Sequence, residues 1–201
     1  MARRGHLRAA LEQAGFRRLY AVRVLGQFGD GLFQASLAAA VLFNPEHQAR
    51  AAEVAAGFAV VLVPYSVVGP FAGVLLDRWR RRRILIVVNL VRCGWVGGVA
   101  AEIAGGLHGE PFYVSALVVI SLNRLVLAAL SASLPHVVPA DELVTANAFS
   151  TTSGTIATTV GGAAAIGIRA LAGGSDRAYA AIALAAVLPY LAAAAASRAF
   201  G

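Results

Sequence analysis

Apolar residues run along this chain in six blocks, at about 19–43, 54–76, 84–106, 111–134, 146–171 and 178–198. Each is close to the ~20 residues a helix needs to cross a hydrocarbon core. In lipid a backbone polar group has to find its partner within its own segment, so all six blocks are predicted to be α-helices. The expected architecture is an all-α membrane protein: a basic segment over residues 1–18, then a six-helix transmembrane domain over 19–201. The first block exceeds the roughly 7–15 apolar residues of a secretory signal and lacks a polar cleavage zone, so it reads as a span.

The connections between blocks set an orientation. Arg3, Arg4, Arg8, Arg17 and Arg18 precede the first span, and Arg78, Arg80, Arg81, Arg82 and Arg83 crowd the turn between the second and third. Arg198 closes the sixth. The opposite side has only Arg50, Arg169 and Arg177 near its loops. Short arginine-rich loops stay on the cytoplasmic face, so both termini are expected in the cytoplasm of a bacterial plasma membrane. The link from Pro135 to Leu143 has no arginine and does not vote; its prolines end the helix before it, and Asp141 and Glu142 fall where the next helix's positive end favours acids.

Polar residues inside the blocks carry the functional information, because a charge at mid-bilayer costs about 2.5–3.5 kcal/mol on insertion scales. In the first span Arg23, Gln27, Asp30 and Gln34 are spaced four, three and four apart, which puts them on one helical face. The fourth span holds Asn123 and Arg124, with Ser121 and Ser131 near the face of the arginine. With the first helix running outward and the fourth inward, Asp30 and Arg124 lie near the middle of their spans, and they are expected to share a cavity and to pair. Thr151, Thr155, Thr158 and Gly162 form a stripe on the fifth span, expected to line the same cavity. Threonine hydroxyls can equally return their hydrogen bonds to their own helix. Asn89 and Arg92 in the third span lie cytoplasmic of its centre, where the arginine is expected to snorkel or to meet Asp77. The sixth span, with Tyr179, Pro189 and Tyr190 but no internal charge, is expected to face lipid. Glycine pairs Gly69/Gly73 and Gly94/Gly98, and Gly154, Gly161, Gly162 and Gly167, allow close helix approach.

Composition excludes a water-soluble alternative. The 201 residues are 59% hydrophobic and 13% charged, with a mean hydropathy of +0.72; a soluble domain needs about 25% charged residues to cover itself. The net charge of +7 would fit a nucleic-acid partner, but the basic residues sit at the ends of apolar blocks and form no aromatic-interleaved stripe, so no nucleic acid is expected. The seventeen basic residues are all arginine. Cys93 is the sole cysteine, which rules out a disulfide within the chain. His6, His47, His108 and His136 are scattered without metal-ligand spacing, and no cofactor is expected.

The turn between the second and third spans, with Gly73, Asp77, Arg78, Arg81 and Arg82, resembles the signature between the second and third helices of major facilitator superfamily transporters. Gln27-Phe28-Gly29-Asp30-Gly31, Arg124 of the fourth span, and the run from Val138-Pro139 through Glu142-Leu143-Val144 to Ala146-Asn147-Ala148 resemble the same superfamily, in particular its siderophore and drug exporter branch. Those stretches cover spans one to five. The resemblance implies a fold of two inverted three-helix repeats making one six-helix half, with the first and fourth helices lining a central path and the third and sixth standing outside. It also implies a second six-helix half, so this chain is expected to be an N-terminal half that works with that partner or with another copy of itself.

The expected function is secondary active export of a small amphipathic molecule or siderophore, driven by an ion gradient. Asp30, Arg124, Gln27, Gln34 and Asn123 would serve substrate or proton coupling, Gly73, Asp77, Arg78, Arg81 and Arg82 the cytoplasmic gate, and Thr151, Thr155 and Thr158 the cavity wall. A non-transporting six-helix membrane scaffold or a truncated gene product is the alternative. An intramembrane protease is not expected: Ser153 lies in Thr-Thr-Ser-Gly and His136 in a loop, so no nucleophile and base are placed together.

Overall fold

The computed structural model describes residues 11–42, 78–107 and 110–199. Among them every regular element is helical. In chain order these are α1 (Ala14–Leu42), α2 (Arg81–Ala104), α3 (Glu110–Ser133) with a short 3₁₀ turn at Leu134–His136, α4 (Leu143–Ala172), α5 (Asp176–Ala185) and α6 (Val187–Arg198). They correspond to the first, third, fourth, fifth and sixth expected spans. The second, at 54–76, lies outside the described residues, as do Gly69, Gly73 and Asp77.

Among the described residues four helical stretches are long and apolar enough to cross a membrane: Arg81–Ala104, Pro111–His136, Leu143–Ala172 and Asp176–Arg198. At 29 residues α1 has the length, but Gln27, Asp30 and Gln34 dilute its hydropathy. The fourth stretch is broken after Ala185, and the cause is local. Pro189 has no N–H for the carbonyl four residues earlier, on Ala185, and its ring crowds that carbonyl. The chain passes the break with Ala186 N–H bonded to Ala183 at 3.1 Å and Tyr190 N–H to Ala186 at 3.4 Å.

The sequence places this sixth span against lipid, and the structure leaves one face outward, with Leu184, Leu188 and Leu191 exposed, while the other is packed. Both α5 and α6 pack on α1 and α2, burying Tyr179, Ile182, Ala183, Tyr190 and Ala193. Alanine-rich faces allow it: small side chains bring helix axes close, and in lipid that packing drives association where hydrophobicity cannot. The closest approach is between α1 and α4. A Cβ on Gly31 would strike the Thr158 carbonyl, and one on Gly161 would strike the Phe28 carbonyl, so the two backbones are in direct contact. Near Gly94 and Gly98 nothing among the described residues comes within 4 Å of an added Cβ.

The interior is layered. One apolar cluster contains Phe16, Leu19, Val22, Ile84, Leu85, Val88, Val126, Leu130 and Leu134. The other contains Leu32, Phe33, Val96, Val99, Ile103, Phe112, Val119 and Ile182. The clusters take the early part of α1 and α2 but the late part of α3, and then the reverse, so α3 runs antiparallel to both. Between the clusters, at the middle of each helix, lie buried Asp30, Asn89, Arg92 and Asn123.

Candidate functional site

The mid-bundle polar layer is organised by Arg92. Its position on α2, eight residues after Ile84, keeps it on the buried stripe of that helix, and it is 0% exposed. It therefore does not snorkel, and Asp77, the other partner the sequence suggests, lies outside the described residues. It forms a salt bridge with Asp30 of α1. Its other terminal nitrogen donates to Asn89 Oδ1 at 3.0 Å, and Asn89 donates in turn to the Leu85 carbonyl at 2.7 Å. Tyr190 of α6 completes the group: its hydroxyl donates to Asp30 Oδ1 at 3.0 Å, and its ring lies under the Arg92 guanidinium, 3.7 Å from centroid to Cζ. Gly29 makes room, since a Cβ there would come within 2.6 Å of the Tyr190 ring.

Burying an ion pair is expensive, and it is tolerated where the remaining donors and acceptors are also satisfied. Here one carboxylate oxygen takes two donors and the guanidinium takes an amide, an acid and an aromatic face, leaving its Nε unbonded. Three helices are thereby tied at mid-depth. The partner expected for Asp30 was Arg124. The carboxylate's hydrogen bonds run instead to Arg92 and Tyr190, with Arg124 acting on it electrostatically from farther away. The link runs through α6, which packs on both α1 and α2 although those two helices barely touch each other: the Arg92 guanidinium crosses the Tyr190 ring to reach Asp30.

The other sequence-marked residues separate into groups. Arg23 is buried and donates to Ser131 Oγ at 3.2 Å. Gln27 donates to Thr158 Oγ1 at 3.4 Å. Gln34 and Arg124 are half-buried, and Asn123 is buried with neither end of its amide bonded. On α4, Thr158 is half-buried against α1, while Thr151 and Thr155 are exposed. The hydroxyls of Thr155 and Thr158 return hydrogen bonds to the carbonyls of Thr151 and Gly154, the self-satisfied alternative noted above. At the arginine-rich end Arg81 meets His136 Nε2 at 2.6 Å, Arg83 lies over the Trp79 ring, and Arg78 and Arg82 are exposed. Among the described residues no cluster of histidine, cysteine and acids could hold a metal ion.

Arg92 and Tyr190 are what the sequence reading undervalued. A signal was present: an arginine on the buried stripe of an apolar helix has to find an acid, and Asp30 is at matching depth.

Two curated relatives match this chain, from Mycobacterium bovis and Mycobacterium tuberculosis, each named an uncharacterized MFS-type transporter. Each is 45% identical over 174 residues, covering 87% of this chain and 40% of the relative. The chain belongs to the major facilitator superfamily. It spans about two fifths of the length of these relatives. No family model matches the chain, and no solved structure matches it. Together with the apolar helices, membership makes this a multi-pass membrane protein of the superfamily.

Proposed function

We propose that this major facilitator chain is the N-terminal six-helix half, two inverted three-helix repeats, of a secondary active transporter. In this reading it exports a small amphipathic molecule, of siderophore or drug type, down the free energy of an ion gradient. The observation that carries the reading is the polar face of α1 with its counterparts on α3 and α4. Arg23, Gln27, Asp30, Asn123 and Arg124 are held within apolar helices at a cost that a purely structural bundle would not retain. The exposed face of α4, with Thr151 and Thr155, is the side on which a second half or a second copy would close the path.

Within that path Gln27, Gln34, Asn123 and Arg124 contact substrate, and Asp30 responds to protonation through its bonds to Arg92 and Tyr190. Arg78, Arg81 and Arg82, with Gly73 and Asp77, form the cytoplasmic gate. Both termini lie in the cytoplasm. The 40% coverage of the relatives supports the half-transporter reading.

The test is counterflow in proteoliposomes loaded with candidate amphipathic compounds, with the chain alone and with the remaining portion of a relative supplied in trans. Accumulation that requires both parts and collapses when the ion gradient is removed is the expected result. A stable chain with no flux under either condition would favour the scaffold reading.

A further inference from the structure

Below the Asp30 layer lies a second polar group that the ion pair does not use. Arg23 is 4% exposed, so its guanidinium does not reach the membrane surface. Its one hydrogen bond among the described residues goes to a neutral hydroxyl, Ser131 Oγ, and its Nε is buried without a partner. The nearest acid along the same face, Asp30, is occupied by Arg92 and Tyr190.

Two more buried atoms without partners point to the same place. Gln27, one turn from Arg23, uses its amide nitrogen on Thr158 and leaves Oε1 unbonded. Ser150 of α4 is fully buried with its Oγ unbonded. It lies one turn before Gly154, where an added Cβ would collide with Gln27 and come within 3.2 Å of Arg23 Cγ. Glycine at 154 thus keeps open the passage of both side chains from α1 towards α3. A guanidinium with no acid beside it is costly in a bundle interior, and unbonded buried polar atoms add to that cost.

We infer that Arg23, Gln27 and Ser150, buried where α1 passes α3 and α4, form a binding site for an anionic group that carries a neighbouring O–H or N–H. The guanidinium takes the anion through its planar donor edge, as it does carboxylates and phosphates. Gln27 Oε1 accepts from the adjacent donor, and Ser150 Oγ donates to the anion. Arg124, on the Ser131 face of α3 and nearer the bundle middle, adds positive potential. The site deepens the transporter reading by naming the substrate class, a hydroxylated carboxylate, but its existence does not require transport.

The probe pair is 3-hydroxybenzoate and the uncharged 3-hydroxybenzamide, added to the full chain in neutral detergent, with thermal unfolding as readout. A ligand that binds the native state raises the midpoint with concentration. The carboxylate is expected to stabilise and the amide not, with Arg23→Gln raising the half-saturating concentration on the order of tenfold or more, since one charge-assisted hydrogen bond is worth about that factor. Arg23→Lys, which keeps the charge, should retain the preference for the carboxylate. A parallel arm with phosphatidylglycerol against phosphatidylcholine identifies the source: stabilisation by phosphatidylglycerol alone that depends on Arg23 keeps the anion site and assigns it to a lipid headgroup. Equal stabilisation by carboxylate and amide, no stabilisation by any anion, or a response unchanged in Arg23→Gln overturns the site. Binding without flux would instead count against the transporter reading and leave the site standing.

Discussion

The Arg92 guanidinium lies 3.7 Å from the centre of the Tyr190 ring, and both residues are completely buried at the junction of α1, α2 and α6. The tyrosine does two things for the charge pair. Its face offers the cation a partner in place of water, and its hydroxyl satisfies the same carboxylate oxygen that the arginine holds. Its worth can be divided by substitution. Tyr190→Phe keeps the ring and removes one charge-assisted hydrogen bond, a loss of about 1.5–3 kcal/mol. Tyr190→Leu also removes the ring and should cost about 2 kcal/mol more for a desolvated cation–π contact. Thermal unfolding of the three proteins in neutral detergent should rank them wild type, Phe, Leu.

A second prediction concerns the α1–α4 contact. At Gly31 an added methyl would meet the Thr158 carbonyl, a backbone atom that cannot swing aside. Gly31→Ala should therefore push α4 off α1 and lower stability by several kcal/mol, in the range of severe overpacking. Gly167→Ala on α4 has nothing among the described residues within 4 Å and should be neutral or stabilising by up to about 1 kcal/mol, the helix propensity difference. Comparable losses at both sites in a denaturation series would mean that the contact is not formed as described.

Much of this was legible in the sequence, and the gaps have physical causes. Apolar block length gave the helices of spans one, three, four, five and six, because the bilayer fixes a length and backbone satisfaction fixes a conformation. The polar stripe of α1 was visible from spacing alone. The partner of Asp30 was not, because depth along an axis does not say which side chain reaches across; Arg92 and Arg124 are both compatible by depth, and α6, packed on both α1 and α2, bridges Asp30 to Arg92 through Tyr190. The packed face of the sixth span was missed for a related reason. An alanine-rich helix without charge reads as lipid-facing, yet small residues are also what permits close packing.

The packing of α2 on α6 provides an independent check. Cys93, the sole cysteine, is half-buried and its thiol approaches the Val187 carbonyl at 3.9 Å. Val187→Cys should therefore be oxidisable to a cross-link with Cys93 in membranes under mild oxidation, detected by mass spectrometry as a linked peptide pair. A cysteine placed at the exposed Leu171 on α4 should not cross-link to Cys93.

The claim that most else rests on is that Asp30 and Arg92 neutralise each other inside the bundle. A double-mutant cycle on unfolding free energy tests it directly, with Asp30→Asn, Arg92→Gln and the pair combined. Removing one partner of a buried pair leaves the other charge uncompensated and costs about 3–5 kcal/mol. The account predicts that both single variants fall by that order and that the double variant falls by clearly less than their sum. Additive losses, or single variants as stable as the wild type, would show that the two groups do not meet and would contradict the arrangement described.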